Sequence, residues 1–286
     1  MADQMEPIDG VGATARWTGA ARALERGRPD ALLDDPWAEC LAGEVGMAWL
    51  GRQAPGATLP MVLRARFFDD WLCAGFEAYP PGRLQAVLLG AGLDDRAWRL
   101  RWPSGSTVFE VDRPAVLDAK AAVLDEAGAM PACRRIPVAA DLSRDWVGAL
   151  VGAGLDASLP TVWLAEGLLF YLPDLLLRDV LRALTGVSAS GSRLGFDIPS
   201  SAALTSPWTR PWIEMQAAAG APWLGTMDDP ADELTRLGWT ATITQPGEGE
   251  TGHGRWTLPV PPAAARELPH SWYVTAVRAG AVTSTA

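Results

Sequence analysis

The sequence predicts an α/β fold: an open, mostly parallel sheet of about seven strands with helices on both faces, a helical lid before it and an insertion late in the chain. Apolar stretches of strand length alternate with helical segments, a rhythm typical of parallel pairing with right-handed crossovers. The stretches are almost wholly apolar, as expected for a sheet covered on both faces. The strand-length stretches are residues 85–89, 107–112, 135–139, 161–165 and 193–196, and the helical segments are residues 94–100, 115–127, 144–151 and 174–184.

Helices are predicted before the sheet. Residues 28–43 place apolar side chains at helical spacing, and residues 61–79 form a second, stronger helix that ends at the sequence "PPG". Proline and glycine punctuate helices in this way. We therefore expect residues 1–58 to form an N-terminal helical lid and residues 59–286 to form the ligand-binding domain.

The last third of the chain has a different pattern. Residues 199–227 read as an inserted helical cap. The segment "DDPADELTRLG" reads as a short helix, with Pro230 just inside its start and Gly238 just past its end. Two β-rich segments, "WTATITQ" and "SWYVTAVRA", would close one edge of the sheet.

Composition and charge exclude several classes of function. The net charge of -10 repels phosphate backbones, so we expect no nucleic-acid partner. No apolar run approaches the roughly 20 residues of a membrane span, so we expect no membrane partner. The acidic start "MADQMEPIDG" is unlike a signal peptide, and Cys40, Cys73 and Cys133 are far apart, which together favour reduced thiols in a cytoplasm. No histidine or cysteine cluster has metal-ligand spacing, and either a monomer or a homodimer is compatible with the sequence.

The stretch "LLGAGLDDRAWRL" turns at Gly90 and Gly92 directly after the first strand. Such a turn lets a ligand approach the backbone closely. The third glycine of the dinucleotide fingerprint is missing, and Asp94 and Asp95 stand near its place. These carboxylates repel a pyrophosphate but can face a cation. The turn therefore favours S-adenosylmethionine, which carries a sulfonium and an ammonium, over NAD, although a bare structural turn remains an alternative.

Carboxylates follow the next two strands. Asp112 lies about twenty residues past the glycines, where an acidic residue binds ribose hydroxyls. It could instead cap the helix that follows, and Glu110 in the same strand is its rival. Asp141 ends the third strand and could accept from an adenine amino group or cap the helix after Ser143.

Glu166 follows the fourth strand in the nearly apolar run "TVWLAEGLLFYLP". A buried carboxylate without a partner is very costly. Its partner is predicted to be a cofactor cation, and the alternative is an internal ion pair with an arginine.

These motifs resemble one family. "LLGAGLDDRAWRL", "VFEVDRPAVLDAK", "AADLSRDW" and "WLAEGLLFYLP" occur in the order and spacing of the leucine carboxyl methyltransferase family of S-adenosylmethionine-dependent enzymes, and "VLRARFFDDWL" resembles its pre-sheet arginine helix. The early "TARWTGAARALERGRPDALLDDPWA" and the late "GRWTLPVPPAAARELPHSWYVTA" resemble a bacterial branch that includes the tetracenomycin polyketide O-methyltransferase. The resemblance implies the Rossmann-like class I methyltransferase fold.

The resemblance also implies a cofactor site. Arg66 would bind the cofactor carboxylate, because guanidinium and carboxylate pair in a bidentate manner. Asp112 would bind the ribose and Glu166 would lie near the amino acid end of the cofactor. Gly90 and Gly92 would line the methionine part, and Asp141 and Leu142 would flank the adenine. The remaining cofactor-binding positions are Ala91, Asp95 and Arg113.

The acceptor end is less specific. The resemblance implies that Tyr171 faces the reaction space and that the helices around Thr14 and Trp17 form a lid. A carboxylate nucleophile is already ionised at neutral pH and needs only a donor to orient it, such as Tyr171, Arg255 or Thr14. A phenol or an indole carbon needs a base, and His253 is the candidate, although it replaces the aromatic residue expected before "GRW".

Four interpretations of the function follow. The leading one is O-methylation of a carboxylate on a small molecule of secondary metabolism, a polyketide or another aromatic acid. The second moves the methyl group to a phenol or to an indole C3 with a general base. The third is methylation of a protein's terminal carboxylate, which needs an open docking surface, and the fourth is a non-catalytic binding module.

Overall fold

A computed structural model describes residues 10–54, 56–80 and 82–280, so the acidic start "MADQMEPID" lies outside the described residues. The described chain contains a seven-stranded sheet with the order β3-β2-β1-β4-β5-β7-β6. Strands β1 to β5 are parallel, and β7 is antiparallel to both β5 and β6. The prediction of an open, mostly parallel sheet is therefore confirmed. The strands are β1 (Gln85–Leu89), β2 (Thr107–Asp112), β3 (Arg134–Ala139), β4 (Thr161–Ala165), β5 (Arg193–Pro199), β6 (Trp239–Thr244) and β7 (Ser271–Arg278).

Helices precede the sheet, cover both of its faces and form the late insertion. Short 3-10 helices occupy Phe76–Ala78, Leu169–Tyr171 and Gly249–Gly252. In the described part of the chain, no helix has the length and apolar character needed to cross a membrane. The α-helices are α1 (Gly10–Arg26), α2 (Ala38–Leu50), α3 (Leu59–Gly75), α4 (Arg96–Arg99), α5 (Pro114–Glu126), α6 (Trp146–Gly152), α7 (Asp174–Gly186), α8 (Ser201–Thr205), α9 (Arg210–Ala218) and α10 (Pro230–Arg236).

The sheet separates two hydrophobic cores, because successive side chains of a strand point to opposite faces. In β1, Val87 and Leu89 belong to the core on one face, together with residues of α6 and α7. Ala86 and Leu88 belong to the core on the other face, which contains Phe68 and other residues of α3. Every residue of β1 is buried, which explains why the sequence shows an unbroken apolar run rather than an alternating pattern.

The predicted helix over residues 28–43 is wrong, because α2 begins only at Ala38. Acidic side chains bind the backbone of the preceding segment and replace helical hydrogen bonds. The Leu32 N–H donates to Glu25 Oε1 at 2.7 Å, and the Trp37 N–H donates to Asp35 Oδ1 at 3.1 Å. Pro36 also disfavours helical geometry at the residue before it.

Candidate active site

A cavity of about 910 Å³ opens at the carboxyl ends of the parallel strands. Its floor is formed by the residues that follow β1, β2, β3 and β4, and α1 and α9 contribute to its walls. The strand order reverses between β1 and β4, and ligands of open α/β sheets bind at such a switch point. The volume lies at the upper end of the about 300–1,000 Å³ typical of ligand pockets.

The glycine turn forms one side of this cavity. Gly90 and Gly92 have φ angles of 61° and 46°, which favour glycine. A Cβ at Gly90 would lie 2.5 Å from Leu168 Cδ1, so a larger residue would have to displace the Leu168 side chain as well as adopt a strained backbone conformation. The Gly92 N–H donates to Asp112 Oδ2 at 2.7 Å, and this bond fixes the end of β2 against the turn. Ala91, between the two glycines, also lines the cavity.

Asp112 lines the cavity, whereas its rival does not. Helix α5 begins after Arg113, so Asp112 is not its N-cap residue. Glu110 is fully buried, and its Oε2 lies 2.9 Å from Lys120 Nζ and 2.8 Å from Arg135 Nε. The rival carboxylate is therefore neutralised inside the protein.

Asp141 and Leu142 line the cavity beside β3. Asp141 Oδ1 accepts from the N–H and the hydroxyl of Ser143 at 2.8 and 2.7 Å, and these bonds lower the pKa of Asp141. The N-cap of α6 is Asp145, which accepts from the Gly148 N–H. The alternative of a helix cap therefore applies to Asp145 rather than to Asp141.

Arg66 does not line the cavity, which corrects its predicted place in the site. Its Nε pairs with Asp70 at 2.7 Å on the surface, and its Nη1 donates to the Leu32 carbonyl. Arg64, two residues earlier on the same helix, lines the cavity instead. Two residues along a helix turn the side chain by about 200°, so these two arginines point to opposite sides of α3.

Glu166 lies at the centre of an ion-pair network. Its Oε1 accepts from Arg64 Nε at 3.0 Å, and its Oε2 accepts from Arg96 Nη2 at 2.6 Å. Arg64 Nη1 also donates to Asp197 Oδ2 at 3.0 Å. The alternative of an ion pair with arginine is thus present in the structure.

The network continues under the cavity and into the N-terminal segment. The sequence patterns singled out Glu166 and Asp95 but missed most of the other members. The only signal was the dense mixture of charges in "RARFFDDW" and "LDDRAWR", which does not reveal which charges meet. The network pairs the arginines Arg22, Arg64, Arg96 and Arg99 with the carboxylates Asp35, Asp69, Asp94, Asp95, Glu166 and Asp197.

Asp95 and Asp35 form a pair of buried carboxyl groups within this network. Both are at most 1% exposed. Burial, and then the neighbouring Asp35, raise the pKa of Asp95 to about 8, although Arg99 Nε bonds its Oδ1 at 2.9 Å. Arg22 lies 2.5 Å from Asp35 and lowers the pKa of that carboxyl against the effect of its burial. The raised pKa of Asp95 and the lowered pKa of Asp35 favour a protonated Asp95 beside an ionised Asp35.

Tyr171 also lines the cavity, as predicted, and its hydroxyl is part of a directed chain of hydrogen bonds. The Thr14 hydroxyl donates to the Val11 carbonyl at 2.7 Å, so it can only accept from Tyr171. The Tyr171 hydroxyl therefore donates its hydrogen bond to Thr14, and it accepts one from the Gln216 amide at 3.3 Å. Burial raises the pKa of Tyr171, so its phenol stays neutral.

Two predicted residues of the tail lie outside the cavity. His253 is absent from its lining and occupies a left-handed turn at φ 47°. Arg255 forms a bidentate ion pair with the buried Glu25 of α1, at 2.6 and 2.9 Å. Neither residue therefore lines the cavity in which the predicted base and substrate contact would act, whereas Trp256 of the same loop does.

The remaining predicted residues line the cavity. Thr14 and Trp17 come from α1, and Trp17 stacks on Trp49 at 5.0 Å between ring centroids. Arg113 lines the cavity from the start of α5. Among the described residues, no group of histidine, cysteine and acidic side chains has the arrangement of a metal site.

Comparisons with known proteins agree with this geometry. A model of the leucine carboxyl methyltransferase family matches residues 15–185. A Streptomyces coelicolor protein described as an S-adenosyl-L-methionine-dependent methyltransferase is 39% identical over 269 residues, covering 87% of this chain and 88% of that protein. A Mycolicibacterium gilvum protein of the same description is 37% identical over 273 residues, covering 88% of this chain and 90% of that protein.

Solved structures share the fold. A methyltransferase from Thermobifida fusca has a TM-score of 0.58 at 19% identity, covering 96% of this chain and 97% of that chain. The CurJ carbon methyltransferase has a TM-score of 0.55 at 14% identity, covering 93% of this chain and 67% of that chain. At these identities the likeness concerns the fold alone.

Proposed function

The chain belongs to the leucine carboxyl methyltransferase family and is an S-adenosylmethionine-dependent methyltransferase, and on this premise we propose that it methylates a carboxylate oxygen of a small molecule. The acceptor we propose is an aromatic or polyketide acid of secondary metabolism.

The residues around the turn fit the cofactor. Gly90 and Gly92 carry no Cβ, so the methionine part can lie against the backbone of the turn, and Asp112 faces the ribose. Arg64 replaces Arg66 as the group that binds the cofactor carboxylate, while Glu166 attracts its ammonium. Asp141 and Leu142 flank the adenine, and Ala91, Asp95 and Arg113 complete the site.

The charge of the ion-pair network supports a cationic ligand. Its carboxylates outnumber its arginines by two, and the raised pKa of Asp95 favours the protonated form of that carboxyl. The network therefore offers more acidic than basic side chains below the cavity, although burial raises the pKa of Asp197. S-adenosylmethionine carries a net positive charge and supplies an electrophilic methyl group.

The missing base is the observation that carries the proposal of a carboxylate acceptor. Among the described residues, which include both histidines of the chain, no histidine lines the cavity. Burial raises the pKa of the Asp197 carboxyl, which does line the cavity, but that carboxyl is held by Arg64 Nη1 at 3.0 Å and by the Gly167 N–H at 2.6 Å. The phenols of Tyr171 and Tyr273 have raised pKa values because they are buried, so neither accepts a proton. A carboxylate needs no base, since it is ionised at neutral pH. A phenol or an indole carbon would need one.

The walls of the cavity support a small aromatic acceptor. Trp212 of α9, Trp223 and Trp256 line it together with Phe170, and flat apolar side chains favour an aromatic ligand. Coverage by α1 and α9 disfavours a protein terminus as acceptor.

The free cysteines support a reducing cytoplasm, and whether the protein is a monomer or a homodimer stays a prediction.

The test is an acceptor screen. We would first confirm binding of S-adenosylmethionine by calorimetry, with NAD as the control ligand. The variant Asp112→Asn, which alters the proposed ribose ligand, should bind S-adenosylmethionine more weakly. Aromatic carboxylates, phenols and indoles are then incubated with the cofactor, and mass spectrometry detects the gain of one methylene. We expect methyl esters. Methylation of phenols or indoles alone would overturn the carboxylate assignment while leaving the methyltransferase intact.

A further inference from the structure

Tyr273 lies where the antiparallel end of the sheet meets the active-site cavity. It is the third residue of β7, and because β7 runs opposite to β5, Tyr273 pairs with Asp197 at the carboxyl end of β5. The residue lines the cavity although only 2% of it is exposed. Its ring is fixed by Phe67 and Phe68 of α3, at centroid distances of 4.8 and 5.9 Å.

The Tyr273 hydroxyl has no hydrogen-bond partner among the described residues. The three tyrosines of the chain differ in this respect. The Tyr171 hydroxyl donates to Thr14, and the Tyr79 hydroxyl is fully buried inside the protein without a hydrogen-bond partner. The Tyr273 hydroxyl is not fully buried, and because Tyr273 lines the cavity, we infer that its hydroxyl is accessible from the cavity. A buried phenol usually finds a partner, which suggests that a ligand supplies it.

The surroundings of this phenol make it a donor. Burial raises its pKa, while Arg64 opposes the shift and Asp197 and Glu166 add to it. A phenol that stays protonated cannot remove a proton from an acceptor, but it can donate a hydrogen bond to one. The same three charged groups lie at the amino acid end of the proposed cofactor site, so the hydroxyl lies near the boundary between cofactor and acceptor.

We propose that Tyr273 is an acceptor-binding residue whose hydroxyl donates a hydrogen bond to an oxygen of the acceptor. The inference rests on the proposed function, in which that oxygen belongs to a carboxylate. One carboxylate oxygen is held by Tyr273 and the other attacks the methyl carbon. A carbon–oxygen bond forms, the carbon–sulfur bond breaks and its electron pair stays on sulfur. The positive and negative charges cancel, no proton leaves, and Tyr273 keeps its own.

Fluorine NMR can test this contact because the chain has only three tyrosines. The full chain is labelled with 3-fluorotyrosine, and the signals are assigned with Tyr79→Phe, Tyr171→Phe and Tyr273→Phe. The protein is saturated with S-adenosylhomocysteine and titrated with benzoate and 1-naphthoate. Benzamide and 1-naphthamide serve as uncharged probes of the same shape. We expect the acids to shift the Tyr273 signal and to leave Tyr79 unchanged.

The outcomes separate the two proposals. If the amides shift Tyr273 and the acids do not, Tyr273 binds an acceptor oxygen but the carboxylate function is wrong. If S-adenosylhomocysteine alone shifts Tyr273 and no acid or amide does, the residue contacts the cofactor and the inference is overturned. The inference also fails if none of these ligands moves the signal.

Kinetics provide a second readout on any acceptor found in the screen. Tyr273→Phe removes one oxygen from a well-packed ring, so the fold should persist. We expect kcat/KM for the acceptor to fall at least about tenfold, as for the loss of one hydrogen bond to a charged group, with an unchanged dissociation constant for S-adenosylhomocysteine. Weaker binding of S-adenosylhomocysteine with an unchanged acceptor KM would contradict the proposal.

Discussion

Arg64 and Arg66 are two residues apart on α3, yet their side chains have different environments. Arg64 is 17% exposed and holds Glu166 and Asp197, whereas Arg66 is 37% exposed and pairs with a surface carboxylate. The sequence "RAR" contains both, and no local pattern distinguishes them because only the rotational phase of the helix decides which one faces the cavity. Which of the two arginines faces the cavity was therefore not predictable from spacing alone.

This difference gives a matched pair of variants. Arg64→Lys keeps the charge beside Glu166 and Asp197 but loses the planar fork that binds a carboxylate. We expect the dissociation constant for S-adenosylhomocysteine to rise about 10- to 30-fold, about 1.4–2 kcal/mol. Arg66→Lys should leave it unchanged. Calorimetry on both variants checks this, and equal effects would remove Arg64 from the cofactor site.

The carboxylates at the strand ends were predictable for a physical reason. Parallel strands end at the same edge, so Asp112, Asp141 and Glu166 converge although they are far apart in sequence. Tyr273 escaped prediction because it reaches that edge from an antiparallel strand, whose start rather than its end meets the cavity. His253 was misplaced because the sequence of a glycine-flanked loop does not show which way the loop turns.

At the scale of elements, the strands were predicted well and the N-terminal helices less well. Buried parallel strands leave unbroken apolar runs, which the sequence shows directly. The segment between α1 and α2 has helical spacing but is held open by Glu25 and Asp35, whose carboxylates bind its backbone. Tertiary hydrogen bonds of this kind leave no periodic signal in the sequence.

The tail loop is attached to α1 by the ion pair between Arg255 and Glu25. Glu25 is 2% exposed, so removal of Arg255 leaves a buried charge whose remaining partners among the described residues are the Leu32 N–H and Arg28, at 2.7 and 3.9 Å. We expect Arg255→Met to lower the free energy of unfolding by about 3 kcal/mol, the low end for a broken buried pair. The matched Arg266→Met removes an exposed pair with Asp229 and should cost about 0–1 kcal/mol.

Urea unfolding measures both variants. Adding Glu25→Gln to Arg255→Met should restore part of the stability, because the buried charge is then gone. Similar small losses in Arg255→Met and Arg266→Met would show that the loop is not anchored through this pair.

The stability of the whole molecule should depend on pH through the carboxyl pair below the cavity. Folding raises the pKa of Asp95 from about 3.9 to about 8. The folded protein therefore keeps a proton that the unfolded chain releases, so the free energy of unfolding falls as pH rises between about 4 and 8. Asn resembles a protonated carboxyl group and does not titrate.

We accordingly expect Asp95→Asn to gain stability relative to the wild type as pH rises from 5 to 9. Thermal unfolding of both proteins across this range measures the difference. Asp179→Asn is the control, since Asp179 is 67% exposed in its pair with Arg182. If the curves of Asp95→Asn and the wild type run parallel, the pair does not hold the proton.

Because β7 lies between β5 and β6 but is the last strand in the sequence, this end of the sheet cannot form until β7 has been synthesised. In the described sheet, β6 is the outermost strand and is joined to it only through β7. When Thr244 has been synthesised, residues 245–278 must still follow before β7 exists. At about 5–20 residues per second this takes about 2–7 s. During that interval the outer edge of β5 has no partner strand, and a nascent chain with an open edge is exposed to pairing with its neighbours.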